Sequence, residues 1–118
     1  MKKKFLHAKI HRASVTDANL NYTGSISIPV DLMETAGIGE YEFVQVVNIN
    51  NGLRFETYVI KGERGSKNIC LNGAAARLAE IDDRIIIMAY CDLEPDEIPG
   101  HNPTIIVMDE TNTIIEIK

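Results

Sequence analysis

The sequence predicts a mainly β protein, a small closed barrel of short strands with two short helices. Three observations carry this. The apolar residues are aliphatic, with no Trp and with runs such as Ile85-Ile86-Ile87, a composition that suits pleated strands. Alternating apolar and polar stretches are separated by tight-turn signals, of which Asn50-Asn51-Gly52 is the strongest. Finally, Ala36, Ile38, Glu40 and Val44 match Ala79, Ile81, Asp83 and Ile87 at a constant offset of 43 positions. In each half a short helix leads through an acidic turn into a long apolar strand. Two such halves can interlock about a pseudo-twofold axis and hide their strand edges.

The elements follow in order. Leu6, Ala8 and Ile10 alternate with His7, Lys9 and His11, as in a half-exposed strand. Ser25 to Ile28 is a second alternating run. Asp31 is placed to cap a helix that runs to Ala36, and Gly37 is placed to end it. Phe43 to Ile49 and Leu53 to Ile60 flank the Asn-Asn-Gly turn and form a hairpin. Asn68 to Leu71 is a short strand, and Gly73 to Ala79 a second short helix. Arg84 to Cys91 is the most apolar strand and so the most buried. Glu94 to Pro103 holds three prolines and a glycine and is a surface loop. Thr104 to Met108 and Ile114 to Ile117 close the chain as a hairpin around Asp109 to Thr113.

The 118 residues are expected to form a single domain, with roughly two-thirds of the unfolded surface buried. The net charge of −5 argues against nucleic acid, which needs clustered Lys and Arg. Lys2-Lys3-Lys4 is the only basic run, and no apolar stretch follows it to make an export signal. No apolar run approaches the roughly 18 residues that span a membrane. A cytoplasmic protein is expected, with Cys70 and Cys91 as buried thiols.

Most catalytic signatures are absent: no phosphate loop, no dinucleotide fingerprint and no serine elbow. His7 and His11 share a strand face but lack an evident third metal ligand, so no metal is expected. Asp82-Asp83 and Asp96-Glu97 read as solvated turns. What remains is Gly24-Ser25. A serine after a glycine can add its hydroxyl to the glycine carbonyl, convert the amide to an ester and, after elimination, leave a ketone at a new N-terminus. Glycine has no Cβ to shield that carbonyl. Gly24-Ser25 also reads as a plain turn dipeptide, and Gly65-Ser66 repeats it. Two further segments carry polar or small residues that strand logic does not demand. Arg54, Glu56 and Tyr58 lie on one face of their strand, with Phe55 and Thr57 on the other. Asn72-Gly73-Ala74-Ala75-Ala76 offers free backbone N–H groups where a strand gives way to a helix, a place that suits an anion. A non-catalytic barrel serving as a binding or assembly module has the same strands.

Taken together, the segments resemble the aspartate 1-decarboxylase family, bacterial pyruvoyl enzymes that make β-alanine for pantothenate and coenzyme A. The matching runs are Lys9-Ile10-His11-Arg12, Tyr22-Thr23-Gly24-Ser25, Asn51-Gly52-Leu53-Arg54-Phe55-Glu56-Thr57-Tyr58, Glu63-Arg64-Gly65-Ser66 and Asn72-Gly73-Ala74-Ala75-Ala76. They stand in family order and spacing, with little likeness after Asp109. Thr23 stands where some members carry an acidic residue.

The resemblance implies a six-stranded double-psi β-barrel that assembles as a homotetramer with active sites between subunits. It implies self-cleavage between Gly24 and Ser25 into a β-chain of residues 1–24 and an α-chain of residues 25–118. The cofactor would be a covalently bound pyruvoyl group derived from Ser25, which forms a Schiff base with L-aspartate. Thr57 would serve processing and substrate binding, with His11 and Tyr22 assisting the cleavage. Tyr58 would be the proton donor. Arg54 and Lys9 would bind carboxylate, Gly73, Ala74 and Ala75 the other end of the substrate, and Asn72 would orient the reacting group. Gly65-Ser66 falls in a different family segment and is not the cleavage point. Within pyruvoyl enzymes, action on another amino acid is the alternative; Arg54 with the Asn72 to Ala75 segment favours a small dicarboxylate.

Overall fold

In a computed structural model describing all residues 1–118, the chain forms one nine-stranded sheet wrapped around a single apolar core. The strands are β1 (Lys3–Ser14), β2 (Asp17–Asn19), β3 (Ser25–Pro29), β4 (Phe43–Asn48), β5 (Arg54–Gly62), β6 (Cys70–Asn72), β7 (Arg84–Leu93), β8 (Thr104–Met108) and β9 (Ile114–Ile117). Their order across the sheet is β2-β6-β3-β5-β4-β7-β1-β8-β9. This mainly β architecture agrees with a small barrel, although it has nine strands rather than six. The additional ones include the three-residue β2 and the terminal β9, short pieces at the two ends of the strand order.

The sheet curls because strands distant in that order are tied together. Thr16, just past β1, donates its N–H to the Ile69 carbonyl at 2.8 Å, and the Ile69 N–H returns to the Thr16 hydroxyl at 2.9 Å. Inside the curl, the period-two alternation places Ala8 and Ile10 of β1, Val44 and Val46 of β4 and Ile85, Ile87 and Ala89 of β7 out of reach of solvent. Burial of this kind supplies the main drive to fold, roughly 25 cal/mol for each Å² of apolar surface.

The two long strands of the internal repeat are neighbours. β4 and β7 pair antiparallel, with Val46 opposite Ile87. The repeat is imperfect, since Ile38 is buried while its counterpart Ile81 is exposed. Gly52 takes φ +76° in the β4–β5 turn, a conformation that an L side chain rarely adopts, and its N–H donates to the Asn48 carbonyl at 2.9 Å.

Three local expectations change. The helix α1 (Val30–Ala36) does end at Gly37, but Asp31 does not cap it. Pro29 occupies the cap position, with its fixed φ leading straight from β3 into the helix, so Asp31 falls within the first turn. Its carboxylate instead accepts the Gly65 N–H at 3.0 Å, which holds its pKa below the usual range. The second helix is a six-residue 3₁₀ segment, Gly73–Leu78, rather than an α-helix. Cys70 and Cys91 are free but only partly buried. Cys70 opens β6 beside the short edge strand β2, and Cys91 lies near the outer end of β7.

Candidate active site

Ser25 is the first residue of β3 and faces Asn72, the last residue of β6, in an antiparallel pair. Both are buried, at 1% exposure each. Both polar atoms of the Asn72 amide are engaged. Its Nδ2 donates to Ser25 Oγ at 2.9 Å and to Ser27 Oγ at 3.0 Å, while its Oδ1 accepts from the Cys70 thiol at 3.1 Å. Burial pushes the Cys70 pKa up, with Asp17 adding to the effect, so the thiol keeps the proton that it donates. Ser25 in turn donates its hydroxyl to the Thr23 carbonyl at 3.3 Å. That bond spans Gly24 and folds the oxygen back along the Gly24–Ser25 peptide.

Gly73 supports this stretch from beneath. It has φ +64°, and a methyl group there would lie 2.6 Å from the Gly24 nitrogen, 2.7 Å from Gly24 Cα and 2.8 Å from the Tyr22 carbonyl oxygen. Only glycine lets the 22–24 backbone pass so close.

The β3–β5 pairing begins at Ile26–Val59, so the first half of β5 has no partner on that side. Gly24 and the 3₁₀ segment face this free edge and leave a cleft of about 370 Å³ between Gly24, Thr57, Tyr58, Ala74 and Ala75. A second cleft, about 380 Å³, lies between Tyr22, Ser25, Ser27, Tyr58 and Asn72. Tyr58 borders both. A separate cavity of about 100 Å³ between α1, Ile69 and Met108 includes none of these residues. The chain therefore brings together Tyr22, Gly24, Ser25, Thr57, Tyr58, Asn72, Gly73, Ala74 and Ala75.

It does not bring Arg54, Lys9 or His11 to those clefts. They stand on the outer face of the sheet. His11, Ile86, Val47 and Arg54 form one register row across β1, β7, β4 and β5; Lys9, Met88, Gln45 and Glu56 form the next. Strands lie about 4.8 Å apart, so Arg54 and His11 are separated by roughly 14 Å. The His11 ring is half-buried, and its Nδ1 is enclosed without a hydrogen-bond partner. Burial, then the charges of Lys9, Arg12, Lys118 and Arg84, lower its pKa. His7 is drawn away to Glu42, 3.1 Å from its Nε2.

Two participants escaped the sequence reading. Ser27 shares the Asn72 amide with Ser25, and its position two residues on along the same strand face is the signal that could have revealed it. Gln45 accepts a 2.9 Å hydrogen bond from Arg54, a partnership visible only once the β4–β5 register is known.

Fold and site define a small mainly β protein with a set of polar and small residues gathered around a buried serine at the start of a strand. A sequence model of the family described as aspartate decarboxylase matches residues 1–115, and the chain belongs to that family. It is thereby an enzyme, a decarboxylase. Aspartate 1-decarboxylase of Caldicellulosiruptor saccharolyticus is 64% identical over 113 residues, 96% of this chain and 88% of that protein. The Clostridium kluyveri protein of the same name is 56% identical over 99% of this chain and 92% of its own. That of Wolinella succinogenes is 54% identical over 100% and 98% respectively.

Proposed function

We propose that the protein converts L-aspartate to β-alanine and CO₂ with a pyruvoyl group made from its own Ser25. The observation that carries this reading is the buried Ser25 hydroxyl, folded back along the Gly24 peptide and held by Asn72. Relatives named aspartate 1-decarboxylase support the substrate.

In the self-processing step the Ser25 oxygen bonds to the Gly24 carbonyl carbon and the Gly24–Ser25 C–N bond breaks, giving an ester and a free amine. Loss of the Ser25 α-proton then breaks the Cβ–Oγ bond and releases Gly24 as a carboxylate. Water replaces the nitrogen, which leaves as ammonia, and the new N-terminus is a ketone. Thr57 borders the cleft that holds Gly24 and would donate to the oxyanion. Tyr22 lines the Ser25 side.

The residues present fit the resulting group. Gly24 carries no side chain, Gly73 leaves room where a methyl would collide, and Asn72 already directs an N–H at the Ser25 position. When formed, the pyruvoyl group would supply an electron sink for the pair released as CO₂ departs. Around it, Tyr58 borders both clefts and can return a proton to the former α-carbon. Ala74 and Ala75 present small side chains and backbone at the cleft wall.

Carboxylate recognition needs cations, which the clefts of one subunit lack. Arg54 and Lys9 lie on the outer face, among partly buried Val47, Ile86, Met88, Ile105 and Val107. Such a face suits contact with further copies of the chain, and a homotetramer with active sites at its interfaces would complete the cation set. No helix is long and apolar enough to cross a membrane, and a cytoplasmic enzyme of pantothenate synthesis fits this picture.

The test is the mass of the purified protein together with assay on aspartate. Two chains, the larger beginning with pyruvoyl at position 25, and β-alanine as product are expected. An uncut chain after prolonged warming, with no β-alanine formed, overturns the reading.

A further inference from the structure

We propose that Gln45 is a positioning residue for Arg54, aiming its guanidinium at a substrate carboxylate without neutralising it. The inference rests on the reading of Arg54 as the group that holds a carboxylate.

Arg54 Nη1 donates to Gln45 Oε1 at 2.9 Å, and the Tyr90 hydroxyl donates to the same oxygen at 2.9 Å. The three side chains come from three adjacent strands, β5, β4 and β7, so the backbone ladders fix their spacing. A carbonyl oxygen has two lone pairs, and here both are used. The amide therefore cannot turn its NH₂ toward Arg54 without losing two bonds and setting donor against donor. Tyr90 is held in turn beside Met88 Sδ, at 3.6 Å.

The neutrality of the acceptor is the telling feature. Arg64 shows what a carboxylate does: Glu34 takes its two terminal nitrogens at 2.8 and 2.9 Å and compensates the charge. Arg54 belongs to none of the ion pairs, although Glu56 lies on the same strand face two residues away. Gln45 takes one of five guanidinium donors and leaves the charge uncompensated. An arginine kept this way can still grip a carboxylate through two parallel bonds. A polar network serving only solubility would have no reason to spare the charge.

The test measures steady-state kinetics on aspartate with the processed enzyme carrying Gln45→Leu, Gln45→Glu, Tyr90→Phe, Arg54→Ala or Arg54→Lys, and Gln45→Leu combined with Arg54→Lys. Gln45→Leu should raise KM about tenfold, the size of one lost charge-assisted hydrogen bond, with kcat within about twofold. Gln45→Glu preserves shape but occupies the guanidinium, and should raise KM as well. Tyr90→Phe should have a smaller effect in the same direction. In an Arg54→Lys background, Gln45→Leu should add little. KM within about twofold of wild type in both Gln45 variants, or full additivity with Arg54→Lys, overturns the inference. If Arg54→Ala also leaves KM unchanged, it is the carboxylate-holding role of Arg54 that fails; if Arg54→Ala raises KM while the Gln45 variants do not, only the positioning role falls. Should the leucine variant not fold, the near-isosteric Gln45→Glu carries the measurement.

Discussion

Asn72 and Ser25 face each other across the β3–β6 ladder and are joined by a 2.9 Å hydrogen bond between buried side chains. The same nitrogen reaches Ser27, so one amide organises two hydroxyls. Asn72→Ala removes the donor to both and leaves the Cys70 thiol only the Leu71 carbonyl, at 3.8 Å, as an acceptor. Unsatisfied buried groups of this kind cost about 1–3 kcal/mol each. Urea denaturation of the Ser25→Ala precursor, with and without Asn72→Ala, should show the share of that loss that falls on Ser27 and the Cys70 thiol; equal midpoints would mean that water fills the gap without penalty.

Ser25→Ala keeps the strand and its pairing but has no hydroxyl to attack the Gly24 carbonyl. The variant should run as one intact chain and form no β-alanine. Turnover of aspartate by an uncut Ser25→Ala protein would rule out a serine-derived group.

Tyr58→Phe retains the ring that borders both clefts and packs 6.3 Å from the Tyr41 ring, and removes only the hydroxyl. Self-cleavage should proceed, while turnover falls about 10²–10⁴-fold, the usual contribution of a positioned acid. Unchanged kcat would assign the proton to another group.

Gly73→Ala should be among the most damaging single-methyl additions in the chain. The added carbon meets backbone at 2.6–2.8 Å, and the residue is held at φ +64°. Left-handed strain alone is of order 1–3 kcal/mol, and the collision must also move Tyr22 to Gly24. Lower thermal stability and slowed cleavage are expected together. Normal cleavage kinetics would show that the peptide tolerates displacement.

The pH dependence of stability has a definite sign at His11. Its folded pKa is lowered, first by burial and then by Lys9, Arg12, Lys118 and Arg84. The neutral ring is favoured in the fold, so this stabilisation is complete above the unfolded value of about 6.5 and is lost as pH falls toward the lower folded value. Melting curves for wild type and His11→Gln should diverge below about pH 6.5, wild type losing more. Parallel curves would remove His11 as the source.

The sequence displays what is periodic or local. The β4–β5 hairpin is legible because Asn50-Asn51-Gly52 has a turn chemistry of its own, and β7 because its run from Ile85 to Ala89 is unbroken and apolar; it is not the most buried strand, since only Ile85, Ile87 and Ala89 turn inward while most of β3 is buried. The length of β1 is not, since bulges beside His7 and Arg12 break its period, with Arg12 at φ +69°. Asp31 looks like a cap because the cap pattern contains no information about Gly65, its distant partner. The serine centre follows from motif order, yet its amide clasp and the Gln45–Arg54–Tyr90 link depend on strand register. No window of sequence contains that register.

The place of Ser25 at the opening of β3 decides what a cut there would leave behind. Residues 1–24 include β1, which lies between β7 and β8, and β2, which lies along β6. Every strand that holds them belongs to the far side of the break. The excised piece would therefore stay in place as a separate peptide threaded into its own barrel. Unfolding would become dissociation, with a melting midpoint that depends on concentration, whereas the uncut precursor can refold as a single molecule. Once nicked, the protein would owe its persistence to the slowness of strand release as much as to any equilibrium, and its shape would have to be attained before its chemistry begins.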